Sequence, residues 1–139
     1  MIVIHVDGGT RREKDLAEKV VFWCVKELMP KIRNLEITVE IKNLKGRFAD
    51  VMMEDTRREY TMRLQRGLSL FDFISTICHE MIHVKQYVRK EMDEFGGRWK
   101  TRKIARDTNY FDLPWEKEAY RMEKKLAVKC FEQIQFAFK

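Results

Sequence analysis

The sequence predicts a single α+β domain spanning residues 1–139. A small, mainly antiparallel sheet packs against an N-terminal, a central and a C-terminal helix. Three observations carry this. LEITVEIK (residues 35–42) alternates apolar and polar residues strictly, the period of a half-buried strand. Residues 14–32, 70–88 and 114–138 instead repeat apolar residues at helical spacing, each with one apolar stripe. Glu54 to Arg57 interrupts the pattern between two strand-like arms, as a hairpin turn does.

In chain order, residues 2–6 (IVIHV) read as a first strand. Lys14 to Ile32 reads as an amphipathic helix through Leu16, Val20, Trp23, Val25 and Leu28, with Met29-Pro30 kinking or ending it. The strand at 35–42 turns Leu35, Ile37, Val39 and Ile41 inward. Residues 48–54 and 58–65 form the hairpin arms, with Tyr60, Met62 and Leu64 sharing one face. Ser69 suits the cap of the central helix, with Asp72 three residues on. Ile74, Ile77, Met81, Val84 and Val88 stripe that helix, while His79, Glu80, His83 and Tyr87 fall on another face. Residues 91–112 are polar, contain Gly96, Gly97 and Trp99, and suit a cleft wall or lid. Asp112 suits the cap of the last helix and Pro114 its first turn. The buried side of that helix is marked by Trp115, Ala119, Met122, Leu126, Cys130, Ile134 and Phe138.

The central helix carries HEMIH at residues 79–83. Residues four apart on a helix share a face, so His79 and His83 can present imidazole nitrogens to one Zn²⁺ ion. Glu80, beside them, is placed to act as general base on a water that the metal activates. Two of the chain's three histidines stand at this spacing. The third, His5, has no spacing argument toward the site and reads as a strand histidine with a local hydrogen bond.

A catalytic zinc site takes three protein ligands. No histidine follows His83, and Cys78 projects from the far side of the helix, so the third ligand is sought among downstream carboxylates. At 100° per residue, Glu116 and Glu123 fall on the apolar side of the last helix, and Glu118 falls among Lys and Arg. An inward carboxylate needs a partner. This phase favours Glu116 over Glu118, and it makes Glu123 a candidate acceptor for the outer nitrogen of a ligand histidine. Tyr87, Tyr110 and Tyr120 are candidate donors to a developing oxyanion.

The pair HEMIHVKQY and LPWEKEAYRME resembles the zinc signature of gluzincin metallopeptidases, which have HExxH on one helix and a Glu-x-x-Ala context on a following one. Glu116 to Ala119 matches that context. The chain also resembles small SprT-like or phage-encoded metallopeptidases. Tyr120 stands where many gluzincins have Asp, and the third histidine usual in the SprT group is missing. The resemblance implies a zincin-like fold and peptide hydrolysis at zinc held by His79, His83 and Glu116. It also implies substrate binding by strand addition at a sheet edge near the zinc helix, for which residues 59–65, or whichever strand proves to be the edge, are the candidate.

Composition sets bounds. The chain is 45% hydrophobic and 36% charged, which suits a soluble globular protein, and no apolar run is long enough to span a membrane. Residues 1–9 read as a strand and turn rather than a secretion signal. Three well-separated cysteines point to free thiols and a cytoplasmic setting. The net charge is +6. It is interleaved with Asp and Glu, so a solvated basic surface is favoured over a nucleic-acid partner, and a peptide or protein substrate is expected. Two classes of function compete: a zinc metallopeptidase, and a non-catalytic zinc-containing binding protein.

Overall fold

The structure, a computed structural model, describes residues 1–92 and 97–137, with side chains through residue 134. The elements run β1 (Ile2–Gly8), α1 (Arg11–Leu28), β2 (Leu35–Lys42), β3 (Ala49–Met53), β4 (Glu59–Gln65), α2 (Leu70–Val88), β5 (Arg98–Trp99), β6 (Arg102–Lys103), a 3₁₀ turn (Tyr110–Asp112) and α3 (Pro114–Ala137). The α+β class is as expected. The sheet is not mainly antiparallel. Its strand order is β1-β2-β4-β3; β1–β2 and β2–β4 are parallel, and only β3–β4 is antiparallel. Alternation along a strand reports which face is buried and is silent on its neighbour. Residues 43–48 carry the chain past one strand position, so β3 lands on the outer edge and β4 returns into the gap beside β2. The strand expected at the edge near the zinc helix, β4, is therefore internal. That edge is β3.

Helix α1 begins three residues earlier than its periodicity suggests, because Thr10 and Glu13 form a reciprocal capping box. Ahead of it the backbone turns through Gly8 at φ 78°, where a β-carbon would stand 2.2 Å from the Ile41 carbonyl oxygen. Only glycine fits there. Pro30 follows the end of α1, and the Met29 amide closes on the Val25 carbonyl. Ser69 caps α2 as expected, its hydroxyl accepting from the Asp72 amide at 3.3 Å. Asp112 does not cap α3. It belongs to the 3₁₀ turn, and Leu113 directly precedes Pro114.

One core joins the elements. Leu35, Ile37, Val39 and Ile41 from β2 are buried, as are Tyr60, Met62 and Leu64 from β4. Each such side chain contributes about 1.5–3 kcal/mol relative to exposure. They pack with Val20, Val21 and Cys24 of α1, Ile74, Ile77 and Met81 of α2, and Ala119, Ala127 and Cys130 of α3. Phe138, expected on the buried side of α3, lies outside the described residues. The cysteines are distant only in sequence. Cys24 and Cys78 place their sulfurs 3.7 Å apart, and a hydrogen bond to Cys78 followed by burial raises the Cys130 thiol above its ordinary range. Part of the basic surplus serves helix ends: Arg57 donates to the Tyr87 carbonyl and Arg89 to the Leu28 carbonyl. Among the described residues, no helix is long and apolar enough to cross a membrane.

Candidate metal centre

Helix α2 packs along α3, which lays HEMIH against the first turns of α3. Pro114 starts α3, so Glu116 stands in its first turn, only 8% exposed. One Glu116 oxygen, Oε1, lies 3.2 Å from His79 Nε2 and 3.1 Å from His83 Nε2. One donor atom from each of these three residues lies within 4.8 Å of the other two. Four ligands arranged tetrahedrally at about 2.0 Å from zinc stand about 3.3 Å apart, so the two short spacings suit that geometry.

The outer nitrogens sharpen the point. His79 Nδ1 lies 3.2 Å from a Glu123 oxygen, and His83 Nδ1 lies 2.8 Å from the side-chain oxygen of Gln86. Both partners are acceptors, so both Nδ1 atoms carry the proton. Each Nε2 then turns a lone pair toward Glu116 Oε1, and three acceptors meet in a buried space. Such a meeting is unfavourable unless a cation sits among them. In the metal-free protein that cation is a proton. Burial alone would lower the His83 pKa, but the Glu116 carboxylate outweighs burial and raises it. Burial alone would raise the Glu116 pKa, but hydrogen bonds with His79 and His83 outweigh it and bring it to about 2. A divalent ion satisfies the same three atoms without the proton. The group can hold a metal ion, and its donor set of two imidazoles and a carboxylate suits zinc.

A pH dependence follows for the metal-free fold. His83 has a folded pKa above its ordinary 6.5, so its contribution is full below 6.5 and is lost as pH rises through the folded value. Glu80 adds the same trend. Burial raises its pKa above 4.5, the nearby histidines offset this only in part, and ionising it at higher pH costs stability. Thermal unfolding in chelator is expected to show a midpoint that falls as pH rises above 6.5. Zinc-loaded protein is expected to show the opposite slope, because protons compete with the metal for His83.

Glu118 is not at the centre, and it is not solvated among basic residues either. Its side chain is 10% exposed, and Lys85 Nζ donates to it at 2.7 Å. Gln86 Nε2 reaches the same carboxylate at 3.2 Å and the Trp115 carbonyl at 2.9 Å. Gln86, fully buried, is a residue that sequence reasoning missed; its signal was its place three residues after His83, on the same helix face. Glu123 meets His79 as expected. His5 lies on β1, at the opposite edge of the sheet from β3. It is exposed and 3.9 Å from Glu36, too far for a hydrogen bond.

The centre opens on a cleft of about 470 Å³. Glu80 lines it beside both histidines, with its carboxylate bonded to no other side chain among the described residues. Tyr87 and Tyr110 also line it. Burial, then the Glu116 charge, raises the Tyr87 pKa; burial, then a hydrogen bond with Tyr120, raises that of Tyr110. Tyr120 instead lays its ring 4.7 Å from that of His79. From the stretch expected as wall or lid, Met92 and Tyr110 line the cleft, and residues 93–96, Gly96 among them, lie outside the described residues.

The remaining wall is β3, through Ala49, Asp50 and Val51. Asp50 is spent on Arg63 and Arg47, whose hydrogen bonds outweigh burial and lower its pKa. The ladder bonds flanking the hairpin join Phe48 to Gln65 and Glu54 to Glu59. Antiparallel pairs alternate, so Asp50 and Met52 turn their backbone groups to β4, whereas Ala49, Val51 and Met53 turn theirs to the free edge.

No protein-family model matches the chain, and neither a curated protein nor a solved structure matches it.

Proposed function

We propose that the chain is a zinc metallopeptidase with a zincin-like fold and a gluzincin-type centre, hydrolysing peptide bonds in a cytoplasmic setting. One observation carries the reading. Two helical histidines and a carboxylate from the next helix turn lone pairs on one buried point, and a free Glu beside them lines an open cleft. A purely structural site has no use for that Glu. Free thiols at all three cysteines support the reducing compartment.

Zinc held by His79, His83 and Glu116 would supply Lewis-acid polarisation of the scissile carbonyl and a lowered water pKa. Glu80 takes the proton of the attacking water on its carboxylate and delivers it to the leaving amine. Its environment, which raises its pKa from 4.5, makes it a stronger base than a solvated Glu. The partly buried Glu123 and the fully buried Gln86 hold the two imidazoles in place. The Tyr110 hydroxyl, from the lining of the same cleft, is the favoured donor to the oxyanion.

The free edge of β3 suits an extended substrate added antiparallel to it, with Val51 N–H and C=O as the central contacts. Val51→Pro removes the N–H donor and leaves the β3–β4 ladder untouched. It is expected to raise KM about tenfold while zinc content stays the same, since a lost hydrogen bond of about 1.4 kcal/mol is tenfold in binding. Steady-state kinetics beside metal analysis checks this.

The test of the function is cleavage of an unfolded protein substrate. Activity is expected with zinc-loaded protein, should vanish with chelator and should return with added zinc. Zinc-loaded protein that cleaves no peptide across a broad substrate mixture would leave a zinc-binding protein without peptidase activity.

A further inference from the structure

The two histidines of the centre are held from behind by different chemistry. His79 leans on a carboxylate, Glu123, at 3.2 Å. His83 leans on a neutral amide, Gln86, at 2.8 Å. An amide can present either end, so the direction of this hydrogen bond depends on what fixes the amide. The other end of Gln86 faces the Trp115 carbonyl at 2.9 Å and a Glu118 oxygen at 3.2 Å. A carbonyl only accepts. Glu118 Oε1 already accepts from the Lys85 ammonium at 2.7 Å, so it stands as an acceptor toward Gln86 as well. Two acceptors demand the NH₂ end of the amide. The oxygen must then face His83, and His83 must donate from Nδ1.

We propose that Gln86 is the positioning residue of the centre: clamped by the Trp115 carbonyl and the Lys85-bound Glu118, it keeps the proton of His83 on Nδ1 and turns Nε2 toward the metal position. A chain of hydrogen bonds thus runs from α3 back into α2, and Glu118, no ligand itself, acts on the site through it. Lys85 donates to Glu118 at 2.7 Å and also lies 2.8 Å from Glu91, where the chain leaves α2. Gln86 is wholly buried and makes all three contacts at once, which leaves the amide no second orientation. A carboxylate at this position would meet Glu118 and the Trp115 carbonyl with no donor. The amide is the side chain that can bond both ways.

The effect on affinity rests on the metal reading above; the proton on Nδ1 does not. The first readout is therefore the imidazole N–H region of ¹⁵N-labelled protein, which is uncrowded because the chain has three histidines. At mildly acidic pH without metal, and again with zinc, His83 is expected to show an Nδ1–H that exchanges slowly with solvent. Gln86→Met should abolish that protection and weaken zinc binding, measured by chelator competition, about 10- to 100-fold. Should Gln86→Met fail to fold, the charge-conserving double variant Gln86→Glu with Glu118→Gln keeps an acceptor behind His83 and supplies a donor from position 118, leaving only the Trp115 carbonyl without one. That variant is expected to keep the protected proton. An unprotected Nδ1–H in the wild type, or a protected one in Gln86→Met, overturns the assignment. So does a double variant that folds without the protected proton. A protected Nδ1–H in a wild type that takes up no zinc supports the positioning role and sinks the metal centre alone.

Discussion

Glu116→Ala is expected to abolish stoichiometric zinc binding, and Glu118→Ala to leave it intact. The two residues sit two positions apart on α3, and a sequence reading alone separates them only by helical phase and the Glu-x-x-Ala context. Glu116 Oε1 touches both inner nitrogens at 3.1 and 3.2 Å, whereas Glu118 is taken by Lys85 at 2.7 Å. Losing an outer partner of a ligand costs about 10- to 100-fold in metal affinity, so losing the carboxylate itself should cost more than about 100-fold. The stabilities should diverge in the other direction. Glu118→Ala leaves Lys85 only 9% exposed with Glu91 alone, off hydrogen-bond alignment. Breaking a buried pair costs about 3–5 kcal/mol, and with Glu91 still near, the lower end is expected. Metal titration and chemical unfolding on both variants give the crossed pattern: zinc lost with the fold kept for Glu116→Ala, zinc kept with stability reduced for Glu118→Ala. Loss of zinc in both variants alike would mean that Glu118 reaches the metal after all.

Glu80→Gln is expected to lower peptide hydrolysis by about 10³-fold and to keep one zinc per chain, since a general base supplies about 10²–10⁴ of the rate. The fold should not suffer. Glu80 is only 8% exposed, and burial raises its pKa above the ordinary 4.5, so its charge costs stability at neutral pH. A neutral amide of the same shape removes that cost. The variant should therefore unfold at a higher temperature than the wild type in chelator at neutral pH, while its activity collapses. Activity kept in this variant would remove Glu80 from the chemistry. A fall in both stability and zinc content would make it a structural residue.

How far the chain could be read from sequence differs from element to element. His79, Glu80 and His83 were legible because four residues on a helix is one face, a local fact that no tertiary contact overrides. Glu116 was legible because helical phase and its Glu-x-x-Ala context agree, and Glu123 because an inward carboxylate calls for a partner. Sheet order was not legible. Leu35, Ile37, Val39 and Ile41 declare their buried face by alternation, yet nothing in that pattern says whether β3 or β4 lies beside β2. The edge strand near α2 is therefore β3 rather than residues 59–65. The start of α1 was hidden for another reason: Thr10 and Glu13 carry a capping signal that periodicity from Lys14 onward does not contain. Gln86 was illegible because its meaning depends on the Trp115 carbonyl and Glu118, 29 and 32 residues away. Of the cysteines only Cys130 was read as inward, and only the packing of three helices brings Cys24, Cys78 and Cys130 near one another.

The proposed chemistry depends on a metal ion at the meeting point of α2 and α3. The most direct measurement is zinc content of the wild-type protein purified without chelator, with X-ray absorption at the zinc edge to identify the ligand atoms. About one zinc per chain is expected, bound only by nitrogen and oxygen and with the scattering pattern of two imidazoles. A protein that holds no zinc even after zinc is added would contradict the centre. A sulfur-bound ion would contradict it equally, since it would place the metal among Cys24, Cys78 and Cys130 instead.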